Sequence, residues 1–245
     1  MNWKDELYSS YVSSDQAGNS GDSIGSGAKL FRGNSLFIKS LIRRHFPPSR
    51  QSRVLDLGCG HGLYLYFVKG AGYANVTGVD FSAQQVALAH HVGIPEVKQA
   101  NIFEYLASTQ DTFDVILVMD VLEHLEPQEL FDSLRQVQRI MNPGAKLIIH
   151  VPNAEGLFGM RIRFGDYTHT QAFTPRSISQ VLKTLGFTNI RCFEDKPVPK
   201  SPKGLLRYLI WQLGTIPARL LLLAETGERR FVLSQNMLVT ATHNA

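Results

Sequence analysis

The sequence predicts an α/β chain built on a doubly wound sheet, mostly parallel, with an antiparallel last strand. Three observations predict it. From Arg53 to Val151, short β-rich runs alternate with helical stretches, which is βαβ repetition and hence parallel strands joined by right-handed crossovers. Runs such as Val115-Ile116-Leu117-Val118 are apolar without alternation, as strands covered on both faces must be. Beyond Val151 the rhythm changes: a long loop, a helix and a strand are followed by an insertion and one more strand.

Taken in order, residues 9–27 are rich in Ser and Gly without periodicity and read as a mobile arm or a segment ordered by a ligand. Asn34 is placed to cap a helix carrying Leu36, Phe37, Ser40 and Leu41, which runs to Arg43 and Arg44 and is stopped by Pro47-Pro48. Strands are expected at 54–57, 76–80, 97–100, 113–119 and 146–151, the last after the turn Asn142-Pro143-Gly144. Helices are expected from Leu63, over 83–91 and over 127–141. After Val151 come a loop over 152–174, a helix from Pro175, a strand over 188–194 and a final strand over 235–242. Residues 1–50 thus form an arm and a helix over the ligand site, and 51–245 the main domain with a helical insertion at about 197–230.

Composition bounds the partners. Apolar residues make up 44% and charged residues 19% of 245, an ordinary globular balance, and the formal charge of +4 suits an anionic substrate, a membrane surface or nucleic acid equally. No basic run with interleaved aromatics occurs, so no nucleic-acid partner is expected. Cys59 and Cys192 lie far apart and read as reduced thiols. The first residues lack a secretory pattern, and a cytoplasmic location is the expectation. Residues 205–224 are apolar but interrupted by Arg207, Gln212, Gly214, Pro217 and Arg219, which spoils a spanning helix. Three readings of 205–223 stay open: peripheral contact with the inner membrane, a lid, or a homodimer helix.

A strand ending at Leu57 and running into Gly58-x-Gly60-x-Gly62 before a helix places backbone N–H groups and a side-chain-free surface beside a ligand. Asp80 closes the second strand 22 positions after Gly58, where a carboxylate accepts hydrogen bonds from ribose hydroxyls. Leu63 stands where a dinucleotide fingerprint needs its third glycine, so NAD is the weaker choice. Singly, the glycines also suit tight strand-to-helix packing and Asp80 a helix cap.

Val54-Leu55-Asp56-Leu57-Gly58-Cys59-Gly60-His61-Gly62 resembles the first motif of class I S-adenosylmethionine-dependent methyltransferases, which share a Rossmann-like fold. Gly78-Val79-Asp80-Phe81-Ser82 resembles their second motif, and Phe113-Asp114-Val115-Ile116 with Val121-Leu122-Glu123-His124-Leu125 their fourth-strand region. Asn142-Pro143-Gly144-Ala145-Lys146-Leu147 completes the set. The resemblance implies S-adenosylmethionine as cofactor, with Asp56, Gly58, Gly60 and Gly62 along the methionine portion, Asp80 on the ribose, Phe81 on adenine, and Asn101, Ile102 and Met119 bordering the rest. Position 101 is usually Asp in that family.

Methyl transfer from a sulfonium is an in-line displacement, so the protein aligns the acceptor and takes its proton. Asp120, Glu123 and His124 follow the fourth strand, at the edge where parallel sheets bind ligands. Asp120-x-x-Glu123-His124 resembles the acidic-x-x-Glu-His cluster of metal-using ubiquinone-type and small-RNA 2′-O-methyltransferases, which implies Mg2+ or Mn2+ on those three residues. The other reading of Glu123-His124 is a helix cap packed under the cofactor. Gly165-Asp166-Tyr167-Thr168-His169 through Phe173-Thr174-Pro175 resembles a segment of methyltransferases associated with bacterial surface polysaccharides. It makes His169 a candidate general base oriented by Asp166, or else a residue that caps the helix after Thr174 or holds the loop against the sheet. Arg161, Arg163, Lys200, Lys203 and Arg207 either face a phosphate or uronic acid or are solvated charge. The implied activity is O-methylation of a sugar hydroxyl on a surface glycan (O-antigen) or its nucleotide- or lipid-linked precursor. A ubiquinone-like small-molecule acceptor, or a non-catalytic cofactor-binding accessory role, are the alternatives.

Overall fold

β1 (Val54–Leu57) is the strand from which the sheet is read outward, and each of its four residues is buried. The structure, a computed structural model, describes Leu7, Phe31 and residues 35–244. The arm over 9–27 and the cap at Asn34 lie outside the described residues. β1 pairs in parallel with β2 (Val76–Asp80) on one side and β4 (Phe113–Met119) on the other. β3 (Val97–Gln99) extends the first side, and β5 (Met141–Pro152), β7 (Asn236–Thr242) and β6 (Thr188–Glu194) the second, giving the order β3-β2-β1-β4-β5-β7-β6. Only β7 runs antiparallel, to β5 and to β6. This is the doubly wound sheet with an antiparallel last strand. Strand order reverses between β1 and β4, so a crevice opens at their C-terminal ends.

The unbroken apolar runs are explained by helices on both faces. Ile116 and Val118 of β4 pack with Leu130 and Leu134 of α5 (Pro127–Arg139) and Ile178 of α7 (Pro175–Thr184). Val115, Leu117 and Met119 point the other way, to Ile38 of α1 (Ser35–His45), Leu65 of α2 (Leu63–Gly70) and Val86 of α3 (Ala83–His91). Each such side chain contributes about 2 kcal/mol by leaving water. α4 (Ile102–Ser108) completes the first face.

The boundaries differ from expectation in instructive places. β5 begins at Met141 rather than 146, because Met141 pairs with Phe113 and the Asn142 side chain is held by Asp114 Oδ1 at 2.8 Å, so the Asn-Pro-Gly turn enters as an irregular part of the strand. α5 accordingly stops at Arg139. The segment after β5 is not all loop: α6 (Gly159–Arg163) interrupts it. α7 starts where Thr174 and Ser177 cap reciprocally and Pro175 takes the first turn, where its missing N–H costs nothing. The insertion between β6 and β7 folds as α8 (Pro202–Gly214) and α9 (Ile216–Thr226). Cys59 is buried, and both it and Cys192 are free thiols.

Candidate functional site

The turn after β1 carries three left-handed glycines, at φ 70°, 52° and 80° for Gly58, Gly60 and Gly62. At Gly58 the constraint is also spatial, since a Cβ there would meet Val121 Cγ2 at 2.5 Å. The turn is braced by Asp80: Gly60 N–H donates to Oδ2 at 2.8 Å and Ser82 N–H to Oδ1 at 2.9 Å. Ser82, not Asp80, caps α3, accepting from Gln85 N–H. Burial raises the Asp80 pKa, and those two N–H groups pull it back.

Asp56 is the unresolved charge of this turn. Both carboxylate oxygens are buried without a hydrogen-bond partner, and burial, followed by the Asp80 charge, holds its pKa well above the ordinary range. An orphaned buried carboxylate beside a glycine cradle fits a cationic ligand group, which would supply the missing partner. Phe81 presents its ring at the surface, 48% exposed, at the end of β2. Ile102 is half-buried and Met119 buried at the end of β4. Asn101 Oδ1 accepts from Phe103 N–H and caps α4, so part of its hydrogen-bonding capacity goes to the helix.

Across the crevice the loop after β5 folds back on the short 3₁₀ turn Leu122–His124. The Thr170 and Gln171 N–H groups donate to the Glu123 carbonyl at 2.8 and 3.1 Å, and Arg163 ties the same loop through the Thr170 carbonyl. This docking brings His169 to His124, with ring centroids 4.6 Å apart. Asp166 Oδ1 accepts from the Thr168 N–H and hydroxyl at 2.8 and 2.6 Å, and Thr168 Oγ1 stands 2.8 Å from His124 Nδ1. The Thr168 proton is given to Asp166, so Oγ1 accepts from His124 Nδ1–H. His169 Nδ1 lies 3.0 Å from the Ile162 carbonyl, which only accepts. In its neutral form each imidazole is thereby set as the Nδ1–H tautomer with the lone pair on Nε2.

Glu123 sits beneath them, buried, with Oε2 unpartnered, and burial followed by the Asp120 charge raises its pKa well above normal. Burial, then His169, lowers the His124 pKa to about 4. One ligand atom each from Glu123, His124 and His169 lie within 4.8 Å of one another. That trio differs from the expected Asp120, Glu123 and His124. Asp120 is carried away by its left-handed backbone, φ 56°, with its N–H on the His150 carbonyl and Oδ1 2.6 Å from His150 Nδ1. Asp166, expected to orient His169, instead reaches His124 through Thr168, and it holds His169 by its backbone carbonyl at 3.2 Å.

The His150 arrangement was not legible from spacing. Its Nε2 lies 3.3 Å from Asp195 Oδ2, so a buried imidazole stands between two carboxylates. Burial opposes its charge, but Asp120 and Asp195 outweigh it and raise the pKa to about 10. Tyr64 lies nearby, its hydroxyl kept protonated by burial and then by Asp120, Asp56 and Asp195. Asp120 and Asp195 flank His150 because Met119 lies beside it on β4 and Phe193 of β6 stands across β7 at Leu238; the visible signal is a histidine within β5.

Comparison with known proteins gives a consistent picture. A family described as "Methyltransferase domain" matches residues 30–191. A tRNA U34 carboxymethyltransferase of Hydrogenovibrio crunogenus is 30% identical over 184 residues, 69% of this chain and 54% of its own length. A ubiquinone biosynthesis O-methyltransferase of Rhizobium rhizogenes is 36% identical over 110 residues, 43% of each chain. The chain thus spans about half the length of the curated relatives it matches. A SAM-dependent methyltransferase structure from Archaeoglobus fulgidus superposes with a TM-score of 0.63 at 24% identity, over 88% of this chain and 97% of that one.

Proposed function

The chain belongs to the methyltransferase-domain family, and from that premise we propose that it is an S-adenosylmethionine-dependent O-methyltransferase acting on a hydroxyl group. One observation carries the hydroxyl assignment: His124 and His169 meet at the crevice with both Nε2 lone pairs set by oxygen partners of Nδ1. A hydroxyl acceptor must lose a proton, and a neutral imidazole lone pair takes it.

Bound at the glycine turn, S-adenosylmethionine supplies a methyl carbon on a sulfonium leaving group. Asp56 would meet its ammonium group, Asp80 its ribose hydroxyls, and Phe81, Asn101, Ile102 and Met119 would border the adenine side. The orphaned Asp56 oxygens and the cradle that a Cβ at Gly58 would fill support that placement. His169 Nε2 is placed to take the acceptor proton, and bound S-adenosylmethionine would supply the methyl group and keep the leaving electron pair on its sulfur. Asp166, through Thr168, positions His124. As an alternative to the base, Glu123, His124 and His169 would hold Mg2+ or Mn2+ through those same Nε2 lone pairs, and the metal would polarise the hydroxyl as a Lewis acid.

For the acceptor we propose a sugar hydroxyl, on a surface glycan or its nucleotide- or lipid-linked precursor, supported by the likeness of 165–175 to enzymes of that kind. A phenol is the second reading, favoured by the similarity to the Rhizobium rhizogenes relative.

The test is calorimetric titration of S-adenosylhomocysteine into wild type and Asp80→Ala, followed by methyl transfer to sugar nucleotides and to a catechol, with and without EDTA. Binding that Asp80→Ala abolishes, with methylated sugar as product, supports the reading. Equal binding by both proteins removes Asp80 from the site, a methylated catechol selects the phenol, and insensitivity to EDTA removes the metal.

A further inference from the structure

Between β6 and β7 the chain detours through α8 and α9, two helices that bury none of their own residues. The domain side holds half-buried Tyr208 and Trp211 beside polar anchors: Arg219 binds the Glu194 carboxylate and the Phe231 carbonyl, and Thr215 between the helices is buried. Toward solvent stand Leu206, Ile210 and Leu213 of α8 with Leu220 and Leu221 of α9, each 59–72% exposed. Positions 206, 210 and 213 recur at helical spacing, so they form one stripe. A second apolar group, Phe158, Met160 and Phe164, is exposed on and beside α6. The two regions are tied where Leu157 N–H donates to the Leu233 carbonyl at 3.0 Å and Asn153 Nδ2 to the Val232 carbonyl at 2.7 Å.

Single exposed leucines are ordinary, but an apolar stripe of this extent marks an interaction surface. Charge identifies what it meets. Residues 197–230 hold six basic and two acidic side chains, an excess of four that equals the formal charge of the whole chain. Two copies pressed together on this face would set those cations against one another, whereas an anionic lipid surface receives the cations at its headgroups and the leucines just beneath. Among the described residues no helix is long and apolar enough to cross a membrane, so the helices suit the plane of the interface.

We propose that α8, α9 and the tip of α6 dock the protein on an anionic bilayer surface. Phe164 and His169 belong to the same loop, so docking sets the mouth of the crevice at the lipid headgroups. If the O-methyl reading holds, its acceptor is an amphiphile whose hydroxylated head is offered at that level. Docking itself does not rest on that reading and is measured without turnover.

The experiment is sedimentation of the full chain with vesicles of phosphatidylcholine alone and of phosphatidylcholine mixed equally with phosphatidylglycerol. Wild type is expected to sediment with the mixed vesicles and weakly with the neutral ones. Lys203→Gln with Arg207→Gln, both exposed on α8, weakens binding by about fivefold for each cation removed, and Leu206→Glu with Ile210→Glu abolishes it. Unchanged S-adenosylhomocysteine binding or unchanged thermal midpoints show the variants folded. Failure to sediment with either vesicle, or equal sedimentation of wild type and variants, overturns the proposal. So does a wild-type dimer in light scattering that Leu206→Glu with Ile210→Glu converts to monomer, which would assign the face to a second copy.

Discussion

His150 Nδ1 lies 2.6 Å from Asp120 Oδ1, so a buried imidazole on β5 is held charged by a half-exposed carboxylate at the end of β4. The pairing follows from register, because Met119 aligns with His150 in the parallel β4–β5 ladder and Asp120 is the next residue. It also accounts for a non-glycine residue at φ 56°, a conformation that costs about 1 kcal/mol or more unless its surroundings hold it.

This pairing has a pH signature. Folding raises the His150 pKa to about 10, so the stabilisation is complete below its unfolded value near 6.5 and is lost as pH rises toward 10. His150→Gln is expected to cost about 2 kcal/mol at pH 6, allowing for the exposure of Asp120. The gap between variant and wild type narrows as pH approaches 10. Urea midpoints of both proteins at the two pH values check this, and a gap independent of pH would show that His150 is neutral in the folded protein.

Asp56 predicts an opposition between stability and binding. Its carboxyl pKa is raised by burial and by Asp80, so ionisation near neutral pH destabilises the fold, and any stability gained in acid is lost as pH rises. Asp56→Asn is expected to leave the thermal midpoint unchanged or higher while weakening S-adenosylhomocysteine by about tenfold to a hundredfold, the loss of a charge-assisted hydrogen bond. A lowered midpoint with unchanged affinity would mean that the carboxylate serves the fold rather than the ligand.

Gly58 combines two separable constraints, φ 70° and the closeness of Val121. Gly58→Ala is expected to destabilise by about 2–3 kcal/mol, of which about 1 kcal/mol is backbone strain. Val121→Ala in the same chain opens the space but leaves the strain, so the double variant recovers only part of the loss. Thermal denaturation of the four proteins in the cycle measures the coupling, and strict additivity would show that the side chain of Val121 is not what excludes a Cβ.

How much of this was legible depends on the range of the interaction. The glycine turn and Asp80 are local: positive-φ glycines at fixed spacing and a carboxylate one strand later can be read along the chain, and the structure places them together. The continuous apolar run of β4, Val115 to Val118, likewise announced a doubly covered sheet. What escaped is nonlocal. His169 reaches Glu123 and His124 only because the 166–171 loop hydrogen-bonds to the backbone of 123–125, and Asp120 meets His150 only through sheet register. The outward face of α8 and α9 escaped for another reason: composition registers an apolar helix but not which side of it faces the domain.

Thr168 tests the proposed chemistry most directly, because its hydroxyl touches His124 and Asp166 and lies in neither the cofactor turn nor the trio of candidate metal ligands. If orientation of His124 matters, Thr168→Val removes the acceptor of its Nδ1–H and frees the ring to take the other tautomer. The expected result is kcat lowered by about tenfold to a hundredfold, with KM and S-adenosylhomocysteine affinity nearly unchanged, and a stability loss of about 1 kcal/mol. Thr168→Ser restores the hydroxyl and is expected to recover most of the rate, which a purely steric role for the threonine methyl would not allow. The two variants differ in what they leave beside Asp166 as well as beside His124, so rescue by serine together with an acid limb unchanged in the pH–rate profile assigns the effect to tautomer and orientation. Full activity in Thr168→Val would mean that His124 is held by the loop backbone and that the Asp166–Thr168 pair serves only to fold it.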